Sequence, residues 1–378
     1  MIFGGPSQEH DVSVVTASQL MDAVDCRHFD VLPIYVDFEN RLVTGPLLRD
    51  ISKFTPKPSG LTPVTFLWGD AGPACQIAGE APLRVDCVLP VFHGPYGEDG
   101  RIQGYFETIG IPATGFSSIN SAIAMRKDAT KALVQTVGVN VLPHVSVNRD
   151  TAENPDTLQQ IESDIGYPAI VKPCHLGSSI GVGVANNASE LTAAIAHVLA
   201  LDSVALIEPR VNNLVEYNIA LRRSPDGEIK LSAIETPKSV TDLLDFREKY
   251  LASEDGSSGG AKGDFLPSQG MLSLTRDINP PLPEAFQQRL FQYARSAFQI
   301  LGSRGAPRID FLSNSETGEL WFNEINPIPG SYGFFLWEAA QEPLLFPELI
   351  AHLVNEAQLT SLKQFDDPVP EGARLLPR

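Results

Sequence analysis

Two short segments carry polar residues at a spacing that could do chemistry: Arg308-Ile-Asp310 and Glu324-Ile-Asn326. Asp310, Glu324 and Asn326 offer only oxygen atoms, the ligands that hard Mg2+ ions prefer. Arg308 lies two residues before Asp310, so on a strand both side chains leave the same face. A cation beside acidic metal ligands suits a site that handles phosphoryl oxygens. A hairpin with ordinary surface acids is the alternative interpretation.

A β-hairpin would have to position these residues. Residues 308–312 and 320–325 both read as strands, and the intervening segment 313–318 has loop composition with a glycine at its end. Pairing of the two strands would bring the three oxygen-bearing side chains together.

A lysine late in an apolar strand marks a second candidate site. Lys172 follows Ala-Ile-Val, and the segment 177–183 beyond it consists largely of glycine and serine. Small residues at such a turn expose backbone N–H groups to phosphate, and a buried lysine is costly unless it meets an anion. The order of residues is not that of a Walker A loop, so the pattern favours another type of phosphate site between two strands.

A glycine-rich loop begins at His93, directly after the apolar segment 85–92, which we interpret as a buried strand. Loops at the carboxyl ends of strands in α/β sheets are the usual place for ligand contacts. Glycines at 94, 97 and 100 would let a ligand approach the backbone closely. For His93 considered alone, a loop histidine that is hydrogen-bonded to a neighbour is the alternative.

The start of the chain predicts an α/β domain. Residues 2–7 read as a short strand and a glycine turn, 11–24 as a helix and 28–36 as a second strand. This βαβ order indicates a parallel sheet. Much later, the irregular segment 237–270 has the length of a lid, with a disordered insertion as the alternative.

Composition excludes some classes of function. The chain has 378 residues, which predicts two or three domains. Its net charge of −18 argues against nucleic-acid binding, although a local pocket with a metal could still bind a nucleotide. We see no apolar run long enough to span a bilayer and no signal peptide. Four cysteines without a CxxC pair fit a reducing cytoplasm.

Taken in order, several motifs resemble those of the D-alanine–D-alanine ligase family of the ATP-grasp superfamily, over nearly the whole chain. They are Gly4-Gly5-Pro-Ser-Gln-Glu-His-Asp11-Val-Ser13, His93-Gly-Pro-Tyr-Gly-Glu98-Asp-Gly, Met125-Arg-Lys127-Asp-Ala-Thr-Lys131, Val171-Lys172-Pro with Gly177-Ser-Ser-Ile-Gly181, Glu248-Lys249-Tyr250, Arg308-Ile-Asp310, and Glu324-Ile-Asn326 with Pro329-Gly330. Each motif is weak alone, but their common order and spacing make the resemblance specific.

The resemblance implies an α/β fold in which a Rossmann-like parallel α/β domain, residues 1–120, precedes a two-lobed α+β ATP-grasp fold. The central lobe would span 121–211. The C-terminal lobe would span 212–378 and carry the metal site together with an omega-type loop at 237–270.

The resemblance also implies binding residues for ATP and Mg2+, usually two ions, with Mn2+ as a substitute. The residues implied for ATP are Lys127, Lys172, Ser178, Ser179, Glu208, Val211, Glu216 and Asn323. Among them, Lys127 and Lys172 would hold the phosphates, beneath the turn that carries the serines. Glu208 would lie at the adenine and Glu216 at the ribose. The implied metal ligands are Asp310, Glu324 and Asn326.

Further residues are implied for the amino-acid substrates. They are Asp11, Ser178, Arg308, Gly330, Lys249 and Tyr250 for catalysis, and His93, Glu98, Ser331 and Phe335 for substrate binding. Asp11 would receive the first ammonium group. Arg308 and the Gly330 amide would stabilise the oxyanion. Lys249 and Tyr250 would close over the intermediate as part of the lid.

Three departures from the family pattern concern the substrates. The family usually has glutamate where Asp11 stands, and often a serine for the second substrate's carboxylate where Phe335 stands. Because a phenyl ring cannot hydrogen-bond a carboxylate, either Ser331 substitutes or the second substrate differs. The lid after Tyr250 is unusually rich in glycine and serine.

The predicted function is an ATP- and Mg2+-dependent cytoplasmic ligase that joins two D-alanines through an acyl-phosphate, for peptidoglycan synthesis, cell-wall biogenesis and cell shape. One alternative is the same chemistry with another amino acid or a hydroxy acid as second substrate. Another, from a different class, is a non-catalytic nucleotide-binding relative. The expected partners are small amino acids, without nucleic acid or membrane, and the expected assembly is a homodimer, as is common in the family.

Overall fold

The computed structural model describes residues 1–54, 57–69, 72–238 and 276–360. Lys249 and Tyr250, with most of the predicted lid, lie outside these residues. Within the described ranges, three sheets follow one another along the chain. No helix in those ranges has the length and apolar character needed to cross a membrane.

The first sheet combines three parallel strands with an antiparallel extension. Its strands are β1 (Ile2–Gly4), β2 (Ile34–Val36), β3 (Leu42–Thr44), β4 (Thr62–Gly69), β5 (Gly72–Ile77), β6 (Leu83–Arg84) and β7 (Pro90–Val91). β1 pairs in parallel with β2 and β7, which confirms the predicted parallel α/β sheet. From β2 the strands β3 to β6 continue as an antiparallel meander that the sequence did not suggest.

Four helices belong to the first part of the chain: α1 (His10–Ala23), α2 (Arg101–Ile109), α3 (Ser118–Met125) and α4 (Lys127–Gln135). The turn between β1 and α1 requires glycine at position 4, where φ is +97° and a Cβ atom would lie 2.4 Å from the Val36 carbonyl oxygen. The Gly4 N–H donates to Ser13 Oγ at 2.7 Å, which holds α1 against this turn.

The second sheet is antiparallel and carries the glycine- and serine-rich turn. Its strands are β8 (Val145–Asn148), β9 (Ala169–Pro173), β10 (Gly183–Ala185) and β11 (Val204–Pro209), in the order β10-β9-β11-β8. Helices α5 (Pro155–Asp164) and α6 (Ala188–Leu201) bury Ile161, Leu191 and Ile195 against one face. The opposite face is therefore left for polar side chains.

The third sheet contains the predicted hairpin. Its strands are β12 (Leu214–Arg223), β13 (Ile229–Pro237), β14 (Arg276–Ile278), β15 (Arg308–Asn314) and β16 (Leu320–Asn326), in the order β14-β13-β12-β15-β16. Helix α7 (Glu284–Ile300) packs on one face, where Phe298 joins Ile309, Phe311 and Phe322 in a common core. The hairpin of β15 and β16 confirms the strand prediction.

The end of the described chain returns to the first sheet. A 3-10 helix at Gly330–Gly333 leads into α8 (Phe334–Glu338) and then α9 (Phe346–Thr360). Tyr332, Trp337 and Leu349 share one core with Phe3 and Leu20. This packing places the residues after Gly330 beside helix α1.

Candidate active site

Four polar side chains leave one face of the β15–β16 hairpin. Arg308 pairs with Asn326 across the strands, and Asp310 pairs with Glu324. Arg308 donates from Nε and Nη2 to the two Asp310 carboxylate oxygens, both at 2.7 Å. Asn326 Nδ2 donates to Asp310 Oδ2 at 3.0 Å. The predicted metal ligands are thus neighbours, with a guanidinium beside them.

A β-bulge in β16 places two consecutive side chains on the same side. The register shifts between Asp310, which pairs with Glu324, and Phe311, which pairs with Phe322, so that Asn323 is the extra residue. Asn323 and Glu324 consequently both line the cleft, while Phe322 stays in the core.

A cleft of about 750 Å³ lies between the second and third sheets. Its lining includes most residues that the sequence assigned to ATP and metal: Lys127, Lys172, Ser179, Glu208, Val211, Glu216, Asp310, Asn323 and Glu324. The helices leave one face of each of these two sheets uncovered. Those two faces together form one polar cavity that is large enough for a nucleotide.

Two lysines reach this cleft from different elements. Lys127 is the first residue of α4, and its Nζ lies 3.0 Å from Glu324 Oε2 and donates to the Leu176 carbonyl at 2.6 Å. Burial lowers the pKa of Lys127, but the neighbouring Glu324 carboxylate outweighs that effect, so the pKa of Lys127 is raised. Lys172, on β9, contacts Glu208 Oε2 at 2.5 Å and donates to Asn323 Oδ1 at 2.8 Å.

A third lysine, Lys131, belongs to the same network, although no role was predicted for it beyond its place in the motif that begins at Met125. Its Nζ lies 2.7 Å from Glu208 Oε1 and donates to the Phe322 carbonyl at 3.2 Å. Burial lowers the pKa of Lys131 to about 8. The available signal was its spacing of four residues from Lys127, which places both lysines on one face of α4.

The turn after β9 has an unusual run of positive φ values. Ser178 and Ser179 have φ values of +53° and +59°, and Gly181 follows at +73°. Non-glycine residues rarely adopt this conformation, which costs energy and clusters at ligand sites. Ser179 lines the cleft directly.

The carboxylate that lies against the Ser178 turn is that of Glu9, whereas the predicted residue, Asp11, lies at the surface. Glu9 is 5% exposed and accepts a hydrogen bond from the Ser178 hydroxyl. Asp11, in contrast, is exposed in the first turn of α1. The helical period explains this, since Asp11, Val15 and Asp22 form the outer stripe of α1 while His10, Ser13 and Ala17 face inward.

His93 and Glu98 are both buried where the first sheet meets the site. His93 Nε2 lies 3.1 Å from Thr16 Oγ1. Burial, with Arg308 nearby, lowers the pKa of His93 to about 3, so the imidazole is neutral at pH 7. Glu98 accepts from the Gly94 N–H at 2.7 Å and the Ile328 N–H at 3.3 Å. Its carboxylate therefore joins the glycine loop to the segment after β16.

We expect the stability of the protein to fall between about pH 5 and pH 8 through Glu98. Burial, followed by the nearby Glu9, raises the pKa of Glu98 from 4.5 to about 8. Over this interval the unfolded chain loses the proton that the folded protein keeps, so a rise in pH favours unfolding. Thermal melts should show a shallower pH slope for Glu98→Gln than for the natural protein. The exposed Glu80→Gln should keep the natural slope, and equal slopes for all three proteins would contradict the prediction.

The residues proposed for the second substrate have different surroundings. Ser331 is buried with φ of +47°, its hydroxyl donates to Gln19 Oε1, and its N–H donates to Thr16 Oγ1 at 3.4 Å. Phe335 is half-buried against the core of the first sheet, and the Arg276 guanidinium lies 4.7 Å from its ring centre. Ser331 thus faces α1, whereas Phe335 is held between the core and an arginine.

The hairpin residues fit a divalent cation. Within the described residues no group of three His, Cys, Asp or Glu side chains converges. Asp310 and Glu324 nevertheless provide two carboxylates and Asn326 an amide oxygen, which together make a hard all-oxygen donor set. Arg308 and Lys127 now lie beside these carboxylates.

Comparison with known proteins agrees with this geometry. Family models for the N-terminus and the C-terminus of D-ala D-ala ligase match residues 1–116 and residues 133–265 with 267–355. The D-alanine–D-alanine ligases of Enterococcus hirae and Chlorobium phaeovibrioides are each 32% identical to this chain, covering 94% of it and 94% and 96% of their own lengths.

Solved structures give the same result. The D-alanine–D-alanine ligase of Coxiella burnetii superposes with a TM-score of 0.76 at 25% identity, covering 94% of this chain and 92% of its own. The VanG D-Ala:D-Ser ligase of Enterococcus faecalis superposes with a TM-score of 0.73 at 26% identity, covering 94% and 98%. This chain therefore belongs to the D-alanine–D-alanine ligase family and is an ATP-dependent ligase with the ATP-grasp fold.

Proposed function

We propose that the protein joins D-alanine to D-alanine through an acyl-phosphate, with ATP and Mg2+, to supply peptidoglycan synthesis. The observation that carries this proposal is the shared cleft, which is lined by Lys127 and Lys172 together with Asp310 and Glu324. Positive and negative side chains in one cleft suit a metal–triphosphate complex, because phosphoryl transfer needs charge neutralisation and alignment more than covalent help.

In the first proposed step, a carboxylate oxygen of the first D-alanine attacks the γ-phosphorus of ATP. The new O–P bond forms as the bond to ADP breaks. Glu9 receives the ammonium group of this substrate, in the role that the sequence assigned to Asp11. Lys127, Lys172 and the turn at Ser178 and Ser179 hold the phosphate oxygens.

In the second proposed step, the amine of the second D-alanine attacks the acyl carbon and the C–N bond forms, which gives a tetrahedral intermediate. This intermediate then collapses as the C–O bond to phosphate breaks, and the departing phosphate takes up the proton that the amine loses. Arg308 and the Gly330 amide stabilise the tetrahedral oxyanion. The predicted lid with Lys249 and Tyr250, which would exclude water from the acyl-phosphate, lies largely outside the described residues.

Asp310, Glu324 and Asn326 are the residues that would hold Mg2+, or Mn2+ in its place, and two ions are expected. When bound, such an ion neutralises charge on the phosphoryl oxygens. We further propose that Glu208 and Val211 lie at the adenine, Glu216 at the ribose and Asn323 at the phosphates. The domain limits at 120 and 211, the homodimer and the cytoplasmic location also stay predictions.

The test is a measurement of phosphate release and product mass with ATP, Mg2+ and single or paired amino acids of both hands. Formation of D-alanyl-D-alanine supports the proposal. Phosphate release only with another pair would instead select a ligase with a different second substrate. Absence of phosphate release with every pair would contradict both.

A different second substrate is the main alternative, and Phe335 is the observation that favours it. Phe335 stands where the family resemblance predicted a serine for the carboxylate, and the Arg276 guanidinium lies against its ring. The similarity to VanG, named as a D-Ala:D-Ser ligase, is compatible with such a change.

We expect Phe335→Ser to lower the KM for D-alanine as second substrate by about tenfold, because a hydroxyl can donate a hydrogen bond to the carboxylate. Phe334→Ser is the matched control, since Phe334 packs against the same core and stacks on Phe346 with ring centres 4.5 Å apart. Both variants should melt earlier, but only Phe335→Ser should change acceptor kinetics. A KM for D-alanine that stays the same in both variants would remove Phe335 from the acceptor site.

A further inference from the structure

Three buried charged side chains lie in a row at the wall of the cleft. Glu208 lies between Lys131 and Lys172, at 2.7 Å and 2.5 Å, and the side chains of the three residues are 2%, 0% and 9% exposed, respectively. Lys131 is therefore sealed from solvent, whereas Glu208 and Lys172 both line the cleft.

The elements that carry the row belong to separate parts of the fold. Lys172 on β9 pairs with Leu206 of β11, and Glu208 lies two residues further along β11, so both polar side chains leave one sheet face. Lys131 approaches from α4 and also contacts the Phe322 carbonyl of β16. Tertiary packing alone produces this arrangement.

The row does not balance its own charge. With two lysines and one glutamate, the row carries a formal net charge of +1 in a buried place. Nearby, Lys127 lies against Glu324 and Arg308 against Asp310, so each of these carboxylates already has a cation beside it. An uncompensated buried charge is costly unless an anion completes the site.

We propose that Lys131 is a positioning residue that occupies one oxygen of Glu208, so that Lys172 keeps an uncancelled positive charge for the polyphosphate of ATP. Without Lys131, Glu208 and Lys172 would form a neutral pair that attracts phosphate weakly. The proposal extends the role of the nucleotide site and is independent of which amino acids are joined.

The test is calorimetric binding of ATP, inorganic tripolyphosphate and adenosine to the full-length protein without amino acids. Lys131→Met should weaken the binding of ATP and tripolyphosphate by about tenfold and leave adenosine binding unchanged, because only the charge in the row is altered. Lys131→Arg keeps the charge and should retain most of the affinity.

The double variant Lys131→Met with Glu208→Gln separates charge from packing. It restores the net charge of +1 on Lys172, so tripolyphosphate affinity should recover towards that of the natural protein even though two buried contacts are lost. If Lys131 only supported the packing of the site, tripolyphosphate affinity would instead fall further in the double variant. No recovery, or no loss in Lys131→Met, would overturn the proposal.

The single variant Glu208→Gln tests the same proposal independently, even if Lys131→Met fails to fold. This substitution raises the net charge of the row to +2, so tripolyphosphate should bind more tightly. Adenosine binding, measured in parallel, detects any change at the adenine site. Weaker tripolyphosphate binding with unchanged adenosine binding would contradict the proposal. Product assays of these variants are not needed, so failure here is distinguishable from failure of the proposed ligation.

Discussion

Replacing Asp310 by asparagine is expected to lower the kcat for phosphate release by about a thousandfold or more. Asp310 lies opposite Glu324 and accepts two hydrogen bonds of 2.7 Å from Arg308. Asparagine keeps the shape of the side chain but loses the charge that would balance a divalent cation. It also turns one acceptor into an N–H donor that faces the guanidinium.

Two measurements check this prediction. Steady-state phosphate release with ATP and D-alanine reports turnover, and calorimetric titration with Mn2+ and a nucleotide reports metal binding without turnover. Asp37→Asn is the matched control, because Asp37 is buried and accepts from Arg41 Nε at 2.7 Å in the first sheet, away from the cleft. Retention of turnover within about tenfold in Asp310→Asn would refute the metal assignment.

Replacing Glu9 by glutamine is expected to reduce kcat/KM for the first amino acid by roughly ten- to a hundredfold. The Glu9 carboxylate is buried and hydrogen-bonded by Ser178. A hydrogen bond to a charged group contributes about 1.5–3 kcal/mol, which corresponds to that range of rate. Glutamine is of the same size but cannot balance an ammonium group.

Asp11→Asn provides the comparison, because Asp11 is an acid two residues away in the same motif. Its side chain points to solvent, so we expect kcat/KM to stay within about twofold of the natural value. The experiment varies the first amino acid at saturating ATP in both variants. A larger loss in Asp11→Asn than in Glu9→Gln would restore the assignment made from sequence.

The sequence was a good guide wherever a local pattern carried the information. Strand alternation with a glycine-bearing loop predicted the hairpin of β15 and β16, because side-chain period and turn composition act over a few residues. The apolar run before Lys172 likewise predicted a strand that leads into a turn. Most residues assigned to ATP and metal through the family resemblance do line one cleft.

Local sequence patterns did not predict which of two neighbouring residues faces the site, because tertiary packing determines that orientation. Strict alternation would place Asn323 and Glu324 on opposite faces, but the bulge turns both into the cleft. The motif around Asp11 contains two acids, and only the orientation of α1 against the first sheet decides that Glu9 faces Ser178. The antiparallel meander from β3 to β6 was not predicted either, because the pairing of these strands depends on which strands pack side by side and not on local composition.

The sequence by itself thus determined which chemical groups this protein has and to which family it belongs: the carboxylates of the hairpin, the lysines and the glycine- and serine-rich turn. The tertiary structure decided which of them meet. Lys131 lies 77 residues before Glu208 in the chain yet 2.7 Å from it in space. The physical reason is that burial couples charges from distant segments, and no periodicity along the chain encodes that coupling.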